Sequence, residues 1–228
     1  MVYDAKKVIY TAIFGQKDEL KLITPIDGID YILFTDDPNI KSEVFTVKFV
    51  PAVFEDPTRN ARFYKIMSHQ VIPDYHYSLW IDANIQSTHM DIHGLFDQYL
   101  MKHDLAVHLH PERDCIYDEA AVCIEINKDA PATILSQMEK YQNLSYPTNN
   151  GLISSSIIFR RNTTSVEQVN EAWWKELDNH SRRDQLSFPY VCDLLNFEFY
   201  PVSGHVRTEN VDGFTLFPHK KRKSFLNW

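Results

Sequence analysis

Residues 77–84 read Tyr-Ser-Leu-Trp-Ile-Asp-Ala-Asn. The first five form a short apolar run that ends directly on Asp82-Ala83-Asn84. Such a run, bounded by turn-forming residues, reads as a buried strand. Asp82 and Asn84 stand at i and i+2, and in extended chain that spacing sets both side chains on one face. Hard divalent cations take oxygen ligands. One carboxylate and one amide are few for a protein-only site, so they suit a cation shared with a phosphate-bearing ligand. Asp and Asn also favour turns, so the tripeptide supports a plain turn as well.

Working outward, Lys7-Val-Ile-Tyr-Thr-Ala-Ile13 reads as a first buried strand ended by Gly15. Tyr31-Ile-Leu-Phe-Thr35 reads as a second, closed by Asp36-Asp37-Pro38, and residues 43–50 as a third, more alternating one. Asp56-Pro57 marks a helix start, Asp as cap and Pro at the first helical position, and the helix is expected to reach about Gln70. Downstream, residues 91–100, 114–123, 130–141, 165–177 and 181–195 read as helices, and 104–110 and 152–159 as strands. The alternation predicts an α/β fold, a mostly parallel central sheet flanked by helices. One domain is expected over residues 1–228, with an irregular, polar segment from about 201. In open sheets of this kind ligands bind past the carboxyl ends of the strands.

Composition narrows the partners. The chain has 23 basic and 31 acidic side chains, a formal charge of −8, which disfavours nucleic acid. Its one dense basic run is Lys220-Lys221-Arg222-Lys223. Three cysteines, Cys115, Cys123 and Cys192, form no metal-type spacing and predict free thiols in a reducing, cytoplasmic setting. The start has no apolar signal core, and no apolar run reaches the ~18 residues of a membrane span. No Gly-rich phosphate loop, nucleophile elbow, dinucleotide fingerprint or His-Glu-x-x-His is present.

Three further groups carry chemistry. Arg59, Arg62 and Lys65 recur every three residues and form a basic stripe, suited either to a diphosphate or to a solvated face. Ser181 and Asp184 match a capping box, while Asp184 and Gln185 could instead meet a donor or acceptor sugar. Pro189 is expected to break or kink that helix soon after its start. Among ten histidines, His108 and His110 alternate on one strand and read as packing or surface residues, and His219 precedes the basic run.

Together these segments resemble glycosyltransferases of the GT-A fold. Residues 8–15 look like their first strand, whose end meets the nucleoside. Residues 31–37, YILFTDD, resemble their second strand and acidic turn, and YSLWIDAN looks like the strand bearing their Asp-x-Asp motif. More narrowly, RNARFYK, YSLWIDANI, RDCIYDEA and SRRDQLSFPYV resemble a little-characterised glycosyltransferase-like family of bacteria, plants and large algal viruses. The second acidic position of the motif is Asn84 here, which keeps a carbonyl oxygen but loses the charge.

The resemblance implies a nucleoside near Thr11, Ala12 and Asp36, and a diphosphate beside Ala83 and the basic stripe. It implies Mn2+ (or Mg2+) held by Asp82 and Asn84. His219 resembles the His that completes the metal site in retaining galactosyl- and glucosyltransferases. It implies transfer from a nucleotide-diphosphate sugar, a UDP-sugar, to a glycan or other hydroxyl acceptor. Asp184 is then the general base if the reaction inverts, or lies on the donor face with Gln185 if it retains. A nucleotidyltransferase and an inactive carbohydrate-binding module are the alternatives.

Overall fold

β1 (Lys7–Ile13) is buried on both sides, which is why it reads as an unbroken apolar run. Val8, Tyr10 and Ala12 enter one core, and Ile9 and Ile13 enter the other. The computed structural model describes residues 5–88, 91–208 and 211–220.

Around β1 the chain builds β2 (Ile29–Thr35), β3 (Thr46–Phe49), β4 (Tyr77–Ile81), β6 (Leu105–Leu109), β7 (Ile153–Arg161) and β8 (Tyr200–Val202). They form a seven-stranded sheet in the order β3-β2-β1-β4-β7-β6-β8. β7 runs antiparallel to β4 and β6, and the other neighbouring pairs are parallel. Helices α1 (Pro57–Ile66), α4 (Ile116–Glu125), α5 (Pro131–Asn143), α6 (Thr164–Asn179) and α7 (Phe188–Leu194) pack on the Tyr10 face. α3 (Ile92–Tyr99) packs on the Ile9 face. Among the described residues no helix is long and apolar enough to cross a membrane.

Four details depart from the sequence expectations. The helix begun by the Asp56 cap stops at Ile66, because Met67 leaves helical geometry (ψ 43°), and α2 (Ser68–Val71) restarts it. Residues 181–195 are not one helix: a 3-10 turn (Asp184–Leu186) precedes α7. Pro189 sits in the first turn of α7, where an N–H would have had no helical partner, so it opens the helix instead of kinking it. Ser181 forms no capping box with Asp184: its hydroxyl donates to Asp129 Oδ2 at 2.8 Å and accepts from Arg183 N–H at 3.2 Å, and Arg183 is the residue that precedes the 3-10 turn.

The segment after residue 200 is also more regular than its composition suggests. β8 joins the main sheet, and β9 (Phe214–Leu216) pairs antiparallel with β5 (Ile85–Ser87) in a separate ribbon. β7 carries the main irregularity of the sheet. Val107 pairs with Ile158 but His108 pairs with Ser154, so Ser155, Ser156 and Ile157 have no counterpart on β6.

Candidate active site at the carboxyl edge of the sheet

β4 ends at Ile81 and the chain turns at once, Ile85 N–H donating to Asp82 C=O at 2.9 Å. Asp82 and Asn84 therefore lie in a turn, not along one face of extended chain as the spacing suggested. The turn is pinned to β7 by Asp82 N–H, which donates to Ser156 C=O at 2.9 Å. It is pinned to the distant segment after β9 by a reciprocal pair: Asn84 Nδ2 donates to Phe217 C=O at 2.8 Å, and Phe217 N–H to Asn84 C=O at 2.9 Å. That pair fixes which way the Asn84 amide points, and leaves its Oδ1 buried without a hydrogen-bond partner. The Asp82 side chain is part-exposed, and its Oδ1 accepts from Trp80 Nε1 at 2.8 Å.

Behind Asp82 lies a buried charge cluster. Lys65 Nζ is 2.7 Å from Asp184 Oδ2 and 3.6 Å from Asp82 Oδ1. Arg62 is 3.0 Å from Asp184 and 3.9 Å from Asp82. Ser155 links the two charges, accepting from Lys65 Nζ at 2.8 Å and donating to Asp184 Oδ2 at 2.7 Å. The interruption of β7 supplies this serine, as bulges commonly re-aim a side chain toward a site. Tyr10 Oη donates to the Lys65 carbonyl at 3.1 Å, and Trp173 Nε1 to the Asp184 carbonyl at 2.9 Å, so both backbones are anchored.

Burial alone would raise the Asp184 carboxyl, but Arg62, Lys65 and Arg183 outweigh it and hold it well below the usual carboxylate range. Burial pulls Lys65 below the ordinary lysine value, with Arg62 adding to it, against the opposing pull of Asp184 and Asp82. A fully buried carboxylate tied to two cations accepts a proton poorly. Asp184 is thus suited to holding Arg62 and Lys65 in place. Its neighbour Gln185 is fixed by Glu119 on α4: Gln185 Nε2 donates to Glu119 Oε1 at 2.8 Å, and Arg113 Nε lies 2.8 Å from the other oxygen.

The remaining sequence candidates fall in three places. Arg59 is not brought to the cluster: its guanidinium donates to the Leu177 carbonyl and, at 2.6 Å, to the His180 carbonyl, closing the carboxyl end of α6. Thr11 and Ala12 are buried near the end of β1, Thr11 with an unpartnered hydroxyl. Asp36 accepts from Gly15 N–H with both oxygens, at 3.0 and 3.2 Å, joining the ends of β1 and β2. His219 lies two residues past Phe217, and its Nδ1 is 2.8 Å from Asp18 Oδ1. That hydrogen bond raises its pKa, burial lowers it, and the charges of Asp18 and Asp82 raise it further. His108 and His110 are buried, and the His110 ring accepts from the Glu112 and Arg113 backbone N–H groups at 3.3 and 3.2 Å, a local turn role. Of the basic run, Lys220 lies 3.4 Å from Glu19, and residues 221–223 lie outside the described residues.

Among the described residues no three His, Cys, Asp or Glu side chains gather as a ready metal cage. The donors at the turn are one part-exposed carboxylate and the orphaned Asn84 Oδ1. A hard cation that completes its shell with phosphate oxygens fits that set. Sequence reading missed Ser155, Glu119, Trp80 and Asp18. Each acts through a partner at least 29 residues away except Trp80, whose i,i+2 bond to Asp82 was open to inspection.

A mostly parallel α/β sheet flanked by helices, with its charged residues gathered past the ends of β1 and β4, is a GT-A-like fold. Residues 42–227 match the TOD1/MUCI70, glycosyltransferase-like domain family, and the chain belongs to that family. It is 24% identical over 217 residues to a protein named "Probable hexosyltransferase MUCI70" from Arabidopsis thaliana, covering 82% of this chain and 37% of that protein. It is 22% identical over 235 residues to "Alkaline ceramidase TOD1" from the same plant, covering 83% of this chain and 48% of that protein. The chain thus spans less than half the length of either curated relative.

Proposed function

We propose that this chain is a metal-dependent hexosyltransferase-type glycosyltransferase, moving a sugar from a nucleotide-diphosphate sugar, a UDP-sugar, to a hydroxyl of a glycan or glycoconjugate. The observation that carries the reading is the Asp82–Asn84 turn, with a buried, unpartnered amide oxygen and two cations behind it, Lys65 buried and Arg62 mostly so, in a chain of a glycosyltransferase-like family. The nucleoside lies near Thr11, Ala12 and Asp36, and the diphosphate near Ala83. Asp82, Asn84 and His219 would hold Mn2+ or Mg2+, which when bound supplies positive charge to the departing diphosphate. Arg62 and Lys65 add fixed positive charge in a desolvated setting, where it acts most strongly on charge that develops during bond breaking. Asp184 positions both cations. Gln185, whose amide is oriented by Glu119, is the residue we assign to the reacting sugar.

Thermal denaturation with UDP and manganese, separately and together, tests this reading. Each alone should shift melting little, because the turn offers few ligands. At about 100 times the joint Kd, the pair should stabilise by about 2.7 kcal/mol. A screen of nucleotide sugars should then show metal-dependent release of nucleoside diphosphate, lost in Asp82→Ala with the fold intact. Release of pyrophosphate would assign a nucleotidyltransferase. Ceramide cleavage without nucleotide-sugar turnover, or full turnover in Asp82→Ala, would overturn the proposal.

A further inference from the structure

A concavity open to solvent lies past the amino end of β7 and along α7, with a volume of about 230 Å3. Its floor rests on the buried Ile153 and Cys192, and the half-buried Phe197 and Phe199 offer its accessible apolar surface. Its rim is polar and exposed, made by Asn150, Asp193, Asn196 and Glu198. The wall is fixed by its backbone. Asn196 takes a left-handed φ of 49°, and Phe197 N–H donates to the Cys192 carbonyl at 2.8 Å, folding the chain back over the end of α7. The concavity shares two elements, β7 and the segment leading into α7, with the charge cluster. Ile153 is two residues, at most ~7 Å, from Ser155, and α7 follows directly on the turn that carries Asp184 and Gln185. β7 stands on the far side of β4 from β1 and β2, where the nucleoside is assigned.

A sugar ring has an apolar C–H face and a rim of hydroxyls, the complement of an apolar floor with a polar rim. The volume is below the ~300–1,000 Å3 of sites for drug-sized ligands, which limits the occupant to about one ring. Asn150 and Asn196 can both donate to and accept from hydroxyls, and Asp193 and Glu198 accept from them. The charged side chains lining the concavity are both acidic, so a uronate ring would meet like charge. We infer that this concavity is an acceptor subsite for one neutral pyranose ring. The word acceptor rests on the transferase reading, whereas the binding of the ring does not.

Saturation-transfer NMR with methyl glucopyranoside, methyl galactopyranoside and glucuronate, without nucleotide or metal, tests the subsite. The neutral sugars should respond and glucuronate should not, and added UDP should leave the neutral response in place. Replacing both rim acids, Asp193→Lys with Glu198→Lys, should shift preference toward glucuronate by about tenfold. Both residues are exposed, so melting of the double variant should stay near that of the parent chain. No response to any sugar overturns the subsite. So does an equal response to neutral and anionic rings, displacement by UDP, or a preference unchanged in the double variant. A chain that binds the ring but turns over no nucleotide sugar keeps the ring site and loses the transferase reading. One that turns over donor without binding the ring does the reverse.

Discussion

At the residue scale, Asp184 is where the physical chemistry is most constrained. The carboxylate is fully buried against Lys65, itself fully buried, and Arg62. Asp184→Asn should cost about 3–5 kcal/mol, because it leaves the buried Lys65 with only the more distant, part-exposed Asp82 as counter-charge. Urea denaturation measures this, and a loss under about 1 kcal/mol, as expected for a helix cap, would contradict the cluster. The pH dependence follows from the same geometry. A carboxylate whose folded pKa is depressed contributes stability that is complete above the ordinary carboxylate value, near 4, and is lost as pH falls toward the folded value. Unfolding free energy of the parent chain should therefore fall more steeply below about pH 4 than that of Asp184→Asn. The motif that singled out Asp184 was legible in the chain. Its partners were not, because Lys65 and Ser155 lie 119 and 29 residues away. The regular spacing of Arg59, Arg62 and Lys65 was real as a helical stripe, yet Arg59 is taken by the end of α6 and only the other two reach the carboxylates.

At the scale of elements, the junction of β1 and α1 decides where the cations stand. Gly15 has a φ of 59°, and a Cβ there would lie 2.6 Å from Pro57 Cγ, on the first residue of α1. Gly15→Ala should cost about 2–4 kcal/mol, from left-handed backbone strain and the clash together. It should also weaken UDP binding, since α1 must move and carries Arg62 and Lys65 with it. Calorimetric melting and UDP titration on one preparation measure both effects, and an unchanged melting temperature would contradict this close approach. Lys7–Ile13 and Tyr77–Ile81 are readable to the residue because strands buried on both sides leave unbroken apolar runs. β5, β8 and β9 are three residues each and are defined by partners far along the chain, so no local period announces them. The broken helix at Met67 and the opening role of Pro189 depend on backbone angles and neighbours that propensity does not carry.

At the scale of the whole molecule, the far end of the described chain returns to the first half. Phe217 grips Asn84, Lys21 Nζ sits 5.2 Å from the Phe217 ring centre, and His219 and Lys220 reach Asp18 and Glu19. Phe217→Pro removes the N–H that bonds Asn84 and should destabilise the chain by about 1–2 kcal/mol. Its larger effect should fall on ligand binding. The joint stabilisation by UDP and manganese should drop, because the main chain of Asn84 loses its bond to residue 217 and the carbonyl that orients the Asn84 amide is held less firmly. Melting curves with and without the pair measure this, and an undiminished shift would separate the ribbon from the site. The α/β architecture was legible from the alternation of strands and helices. This closure was not, since residues after 200 read as irregular and polar.

The Asn84–Phe217 grip also has a consequence in time. Its two halves are 133 residues apart, and closing a loop of that length carries an entropic cost that contacts within the sheet must first offset. The turn after β4 therefore forms its local bond early in folding but acquires its final amide orientation among the last events. In refolding experiments, recovery of ligand-dependent protection should lag behind recovery of the sheet. During synthesis, the Asn84 turn should lack this grip until Phe217 has emerged from the ribosome.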